Sequence, residues 1–196
     1  QNKTNNKFQI SNFNKYLITF ISLLFFYLFY LSIPILYGKI WVQSNIEKQL
    51  LKELKINFSI SSDISYRILP APHFLIKDSK IFKKDSDKII SLGDIKNLKV
   101  FISQTKFFDK EKMTLKYIKI DNANFSLLRD DLKLLKDSTN NSFSTKTIEI
   151  NNSNVFFKDK SDDAVAIIKI KKAFIFLDSE DLLNLFDLDG EVYNIP

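Results

Sequence analysis

Two octapeptides decide how this chain is read: Ile118-Lys119-Ile120-Asp121-Asn122-Ala123-Asn124-Phe125 and Ile148-Glu149-Ile150-Asn151-Asn152-Ser153-Asn154-Val155, which match position by position. In each, apolar residues alternate and then change phase across the Asp/Asn-Asn pair, because Ile120 to Phe125 and Ile150 to Val155 are odd steps. A strand has period two, so one face cannot hold both halves without an irregularity. The pattern therefore implies a long strand with a bulge at the Asn pair, or two strands joined by a tight turn there. Weaker copies, Ile76-Lys-Asp-Ser-Lys-Ile81 and Ile168-Lys-Ile-Lys-Lys-Ala-Phe-Ile175, extend the repeat. A repeated strand unit stacking into an extended sheet follows.

Outward from the repeats, residues after Ile56 are rich in Ile, Phe, Tyr, Val and Thr and are broken by Asn, Asp and Ser clusters. This predicts strands at 57–61, 64–69, 73–82, 95–103, 114–128, 145–158 and 165–177. Short helices are predicted at 130–136 and 180–186, the second with Ser179 as its cap and Asp189-Gly190 beyond its end. Leu98, Val100 and Ile102 alternate with Lys99 and Ser103; Ile118 and Ile120 flank Lys119; Ile148 and Ile150 flank Glu149; Ile168 and Ile170 flank Lys169. One apolar and one wet face are implied. A second sheet over the apolar face would make an ordinary core, the commoner outcome. An open sheet would leave that face free for acyl chains, and a large exposed apolar patch needs a function.

Toward the amino terminus, Lys39 to Lys55 switches to helical period, with Val42, Ile46, Leu50 and Leu54 in one stripe and Leu51 widening it. It reads as a membrane-proximal amphipathic helix (38–55), packed on the sheet or lying in the membrane interface with Trp41 as an anchor. Before it, the 22 residues Tyr16 to Tyr37 carry no charge and span roughly 33 Å as a helix, enough to cross a bilayer. Tyr16, Tyr37 and Trp41 bracket this segment as an aromatic belt, and Pro34 falls in its last turn. A cleavable signal would end in small residues, but the first alanine is Ala71, so the segment reads as an uncleaved anchor. Lys3, Lys7 and Lys15 precede it in a basic tail (1–15), predicting a cytoplasmic amino terminus and a body (56–196) across the membrane.

The 196 residues carry 29 Lys plus Arg against 23 Asp plus Glu, a net charge of +6. Half of that excess is the tail, since no acid precedes Glu47. With only Arg67 and Arg129 as arginines, the body is a poor match for a nucleic-acid groove. Cysteine is absent, which excludes disulfides and thiolate metal sites. Three scattered glycines cannot build a phosphate-binding loop. The lone His73, in Leu69-Pro-Ala-Pro-His-Phe74, reads as structural. Asp130-Asp131 and Asp162-Asp163 read as solvated turns, and Ser61-Ser62 and Ser138-Thr139 lack a base, so no catalytic group, metal or cofactor is expected.

The order of these features resembles the amino-terminal region of the AsmA family. A basic tail and an uncleaved span are followed by an amphipathic helix, Ile60-Ser-Ser-Asp-Ile64-Ser-Tyr66-Arg-Ile-Leu-Pro70-Ala-Pro72, Phe74-Leu-Ile-Lys-Asp-Ser-Lys-Ile81 and the Ile-x-Ile-x-Asn-x-x-Asn repeats. The resemblance implies an inner-membrane, single-pass protein with a periplasmic body and a role in phospholipid transport and outer-membrane biogenesis. It also implies a mainly β fold with some α: a curved antiparallel sheet forming an open groove, of which this chain is a first, carboxyl-terminally truncated piece. Leu98, Val100, Ile102, Ile118, Ile120, Ile148, Ile150, Ile168 and Ile170 would line that groove. The implied partners are phospholipid acyl chains, the inner membrane and a periplasmic or outer-membrane protein. A membrane-anchored scaffold with a closed β core, binding a protein in envelope assembly, is the alternative reading.

Overall fold

In the computed structural model, which describes residues 12–54, 56–85, 88–128, 147–159, 161, 163–178 and 183–194, most of the charge-free stretch lies in helix α1, Asn12–Ser32. A 3-10 turn, Ile33–Leu36, follows. The expected helix runs to Tyr37; the α-helix stops earlier because Pro34 has no N–H to continue the ladder. In that last turn the Ser32 hydroxyl donates back to the Leu28 carbonyl at 2.8 Å. The apolar stretch Asn14–Leu36 has a mean hydropathy of 2.1 and is long enough to cross a membrane.

After Gly38 the chain re-enters helix as α2, Lys39–Leu54. Val42, Ile46, Leu50 and Leu54 are all buried, as their spacing of four predicts, whereas Leu51, expected to widen the stripe, is exposed. Polar side chains fasten the helix at two places. Gln43 donates to the Ile60 carbonyl at 2.7 Å, and Glu47 accepts from the Ile60 N–H at 2.8 Å. On the other side, Gln49 donates to the Met113 carbonyl at 2.7 Å and accepts from the Leu115 N–H at 3.1 Å.

The rest is one open, uncurled sheet of β1 (Asn57–Ser59), β2 (Ile64–Arg67), β3 (His73–Asp85), β4 (Lys88–Ile102), β5 (Leu115–Leu128), β6 (Thr147–Lys158), β7 (Ala164–Asp178) and β8 (Leu183–Asn194). The order is β1-β3-β4-β5-β6-β7-β8, with β2 also on β3. The β-rich fold with an apolar helix ahead of the sheet is as expected. Two features correct the expectation of a curved antiparallel sheet: it is uncurled, and it is mixed, because β5 and β6 run parallel. Parallel neighbours need a crossover of a dozen or more residues, and the 18 residues from 129 to 146 are long enough.

That parallel pair holds the two octapeptides side by side, in register from Tyr117↔Thr147 through Phe125↔Val155 to Leu128↔Lys158. Each octapeptide is one continuous strand, which removes the hairpin; the pairing keeps its register across the Asn pair, so the phase change is a left-handed residue shared by neighbouring strands and not the extra residue of a bulge. Asn122 and Asn152 take φ of 58° and 48°, and Asp78 in β3 takes 54°. The same break crosses the neighbouring strands. The inward residue moves by three positions instead of two in β3 (Ile76 to Ser79), β4 (Ile95 to Leu98), β5 (Ile120 to Ala123) and β7 (Ile170 to Ala173), all of them buried. In β6 the same step joins half-buried Ile150 to buried Ser153. One crease thus runs across the sheet, and it keeps apolar residues on a single face on both sides of the line.

The expected helix at 130–136 lies outside the described residues. The other, at 180–186, is corrected: residues from Leu183 onward form β8, paired antiparallel with β7 from Asp178↔Leu183 to Ala166↔Asn194. Strand β4 also begins earlier than expected, at Lys88, with Gly93 inside it. A Cβ there would lie 2.8 Å from the Asn124 carbonyl oxygen and 3.0 Å from the Phe125 ring, so the close approach of β5 selects glycine.

Candidate functional site: an apolar sheet face, half covered

The register assembles the expected groove residues into rows that cross the strands. One row runs Ile76, Leu98, Ile120, Ile150, Ala173, Leu188; the next runs Phe74, Val100, Ile118, Ile148, Ile175, Phe186. Beyond the crease lie Ser79, Ile95, Ala123, Ser153, Ile170, Gly190 and then Ile81, Gly93, Phe125, Val155, Ile168, Val192. All nine predicted groove residues lie on this one face.

They do not share one environment. Leu98, Val100, Ile102, Ile118 and Ile120 are sealed in a core with Val42, Ile46, Leu50 and Leu54 of α2. The prediction that these five line an open groove is therefore corrected: the amphipathic helix, not a second sheet, closes the face over β3, β4 and β5. Ile148 and Ile150 are half-buried at the margin of this core. Ile170 is buried and Ile168 half-buried in β7. On β8 the same rows emerge, with Phe186 63%, Leu188 43% and Val192 66% exposed. Helix α2 is held over β3 to β5 because it is tied to Ile60 on one side and to Met113 and Leu115, where β5 starts, on the other. Phe186, Leu188 and Val192 went unrecognised in the sequence; the run Leu183 to Leu188 puts apolar residues on both faces and so lacks a period of two.

The opposite face is polar and internally paired. Lys99 binds Asp121 at 2.7 Å and Lys119 binds Glu149 at 3.0 Å. Asn151 donates to both carboxylates, at 2.9 and 3.0 Å, and Tyr117 donates its hydroxyl to Glu149. Burial would raise the Asp121 carboxyl, but hydrogen bonds from Lys99 and Asn151 outweigh it and hold it below the ordinary range. At the far edge, hydrogen bonds from Lys171 and Tyr193 hold Glu191 at a pKa of about 2. Asn124 and Asn154 link the parallel pair at 2.9 Å. This network ties β4, β5 and β6 together by charge and hydrogen bonds. Among the described residues, no cluster of three or more His, Asp or Glu side chains is placed to hold a metal ion.

The anchor residues also divide. Tyr16 is exposed on α1. Tyr37 and Trp41, expected as the outer aromatic belt, instead pack against the protein core and on each other, with ring centroids 5.4 Å apart. Three tyrosines clamp the helix end to the sheet: Tyr66 donates to the Leu31 carbonyl at 2.6 Å, Tyr30 to the Gln104 carbonyl at 2.9 Å, and Tyr37 to the Phe107 carbonyl. The geometry thus joins an apolar helix of membrane-crossing length to a sheet whose apolar face is closed near the helix and open at β8. Compared with known proteins, the chain matches no family model and no curated sequence.

Proposed function

We propose that this is a membrane-anchored lipid-handling protein of the AsmA type, which holds phospholipid acyl chains on the uncovered part of its apolar sheet face. It acts by binding and not by catalysis. The observation that carries the reading is the emergence on β8 of rows that are core residues in β3 to β5: Leu188 continues the row of Leu98, and Phe186 that of Val100. Each methylene taken from water there contributes about 0.8 kcal/mol, so an acyl chain is held by apolarity with little demand for specific residues. In this reading α1 sits in the inner membrane with a cytoplasmic amino terminus, the sheet is periplasmic, and the function is phospholipid transport toward the outer membrane. The covered half of the face favours a second reading, a scaffold whose open strip seats a partner protein.

Photo-crosslinking separates the two. The full chain, purified from bacterial membranes, is given a photoreactive residue at Leu188 or Val192, or at Lys172 on the polar face. The lipid reading expects phospholipid adducts at the first two positions and none at Lys172. Protein adducts without lipid at Leu188 and Val192 support the scaffold, and equal labelling at all three positions removes the face assignment.

A further inference from the structure

The loop between β4 and β5 is fastened to the span itself. Tyr30 donates its hydroxyl to the Gln104 carbonyl and accepts the Phe107 N–H at 3.3 Å. Its ring stacks on Phe107 at 5.2 Å and touches Phe108 at 5.3 Å. Lys106, at φ 77°, turns the chain between these contacts. The two phenylalanines then part: Phe107 is 2% exposed and Phe108 is 79% exposed. Tyr30 lies six residues before the end of the apolar stretch at Leu36, which is about 10 Å along the helix axis. The exposed Phe108 ring is therefore level with the apolar stretch and not beyond it. Leu36, at the end of the same stretch, is 83% exposed, and the loop also carries the exposed Lys106 and Lys110, Lys110 over the Trp41 ring at 5.6 Å.

We infer that the β4–β5 loop is a second membrane contact, with Phe108 inserted at the boundary of headgroups and acyl chains and Lys106 and Lys110 beside the lipid phosphates. The occupant is the bilayer because the exposed Phe108 ring lies against Tyr30 of the apolar stretch, just after Phe25, Phe26 and Phe29, which are themselves exposed. A lone helix would leave the body free to swivel; a helix and an inserted loop fix its tilt. The inference rests on reading α1 as a membrane span.

The chain has no cysteine, so single-site labelling is direct. Phe108→Cys, Phe20→Cys in the middle of α1 and Ser161→Cys in the turn at the opposite end of the sheet are each given an environment-sensitive fluorophore. The full chain is placed in lipid nanodiscs of phosphatidylcholine and phosphatidylglycerol containing a lipid-borne quencher. The expected result is blue-shifted emission and several-fold quenching for Phe108→Cys and Phe20→Cys, with Ser161→Cys unaffected. If Phe20→Cys is quenched and Phe108→Cys behaves like Ser161→Cys, the second contact is overturned while the anchor stands. If Phe20→Cys is unquenched as well, both fall. Phe108 is exposed, so its replacement leaves the fold intact.

Discussion

Asn122 and Asn152 stand at equivalent positions of adjacent parallel strands, both with left-handed backbone, φ 58° and 48°. This conformation costs most residues roughly 1–2 kcal/mol because Cβ approaches the following carbonyl, and Asn and Gly bear it best. Asn152→Val should therefore destabilise the full chain by about 1–2 kcal/mol, while Asn152→Gly should be close to neutral. Urea unfolding of the detergent-solubilised protein measures the difference. Equal losses for Val and Gly would mean that the asparagine side chain, and not the backbone, is what the position needs.

The phase change that betrays this crease is legible in the sequence because it is local. So is the stripe of Val42, Ile46, Leu50 and Leu54, whose period of four holds over the whole of α2. What covers what is not local. Nothing within Leu98 or Ile118 says that α2 lies above them, and nothing in Leu188 says that it does not; the hydrogen bonds of Gln43, Glu47 and Gln49 to distant backbone decide it. The parallel pairing of β5 with β6 likewise depends on a crossover that strand patterns do not encode. At 180–186, the Ser179 cap and the Asp189-Gly190 stop suggest a helix, and pairing of Leu183–Asn194 along β7 overrides them.

Two buried serines on one row of the apolar face should respond oppositely to alanine. The Ser153 hydroxyl accepts the Ala123 N–H at 3.0 Å and donates to the Asn151 carbonyl at 2.8 Å, bridging β5 and β6 where the left-handed asparagines interrupt their pairing. Removing it strands a buried backbone N–H, so Ser153→Ala should cost about 1–3 kcal/mol. The Ser79 hydroxyl is buried without a hydrogen-bond partner among the described residues. Ser79→Ala should be neutral or stabilising. Thermal midpoints of the two variants, taken side by side, test the contrast, and a matching loss in both would contradict it.

His73 gives the fold a pH dependence near neutrality. Its ring is buried, stacks on Phe101 at 4.8 Å and hydrogen-bonds through Nδ1 to the Ala71 carbonyl at 2.7 Å. Burial lowers its pKa below the ordinary 6.5; the Ala71 carbonyl opposes this, and Lys99 and Arg67 add to it. Since the folded value lies below the unfolded one, the stabilisation from the neutral ring is full above pH 6.5 and is lost as pH falls below it. Unfolding at pH 7.5 and pH 5.5 should show a loss of stability in the acid that is smaller in His73→Phe. An identical loss in the variant would assign the effect to other groups.

The uneven cover of the apolar face predicts that similar residues in one row differ in what they do. Leu98 and Leu188 share a row, but Leu98 is sealed under α2 and Leu188 is 43% exposed. Leu98→Ala empties a packed core site and should cost about 2–5 kcal/mol. Leu188→Ser and Val192→Ser remove exposed side chains and should change stability by less than about 0.5 kcal/mol. Lipid retention should run the other way. With the protein purified in a mild detergent and its co-purifying phospholipid counted by mass spectrometry, Leu188→Ser combined with Val192→Ser should lose lipid while melting normally. Leu98→Ala should melt early and, below its midpoint, keep its lipid. If the paired serine variant keeps a full complement of lipid, the open strip is not where acyl chains lie.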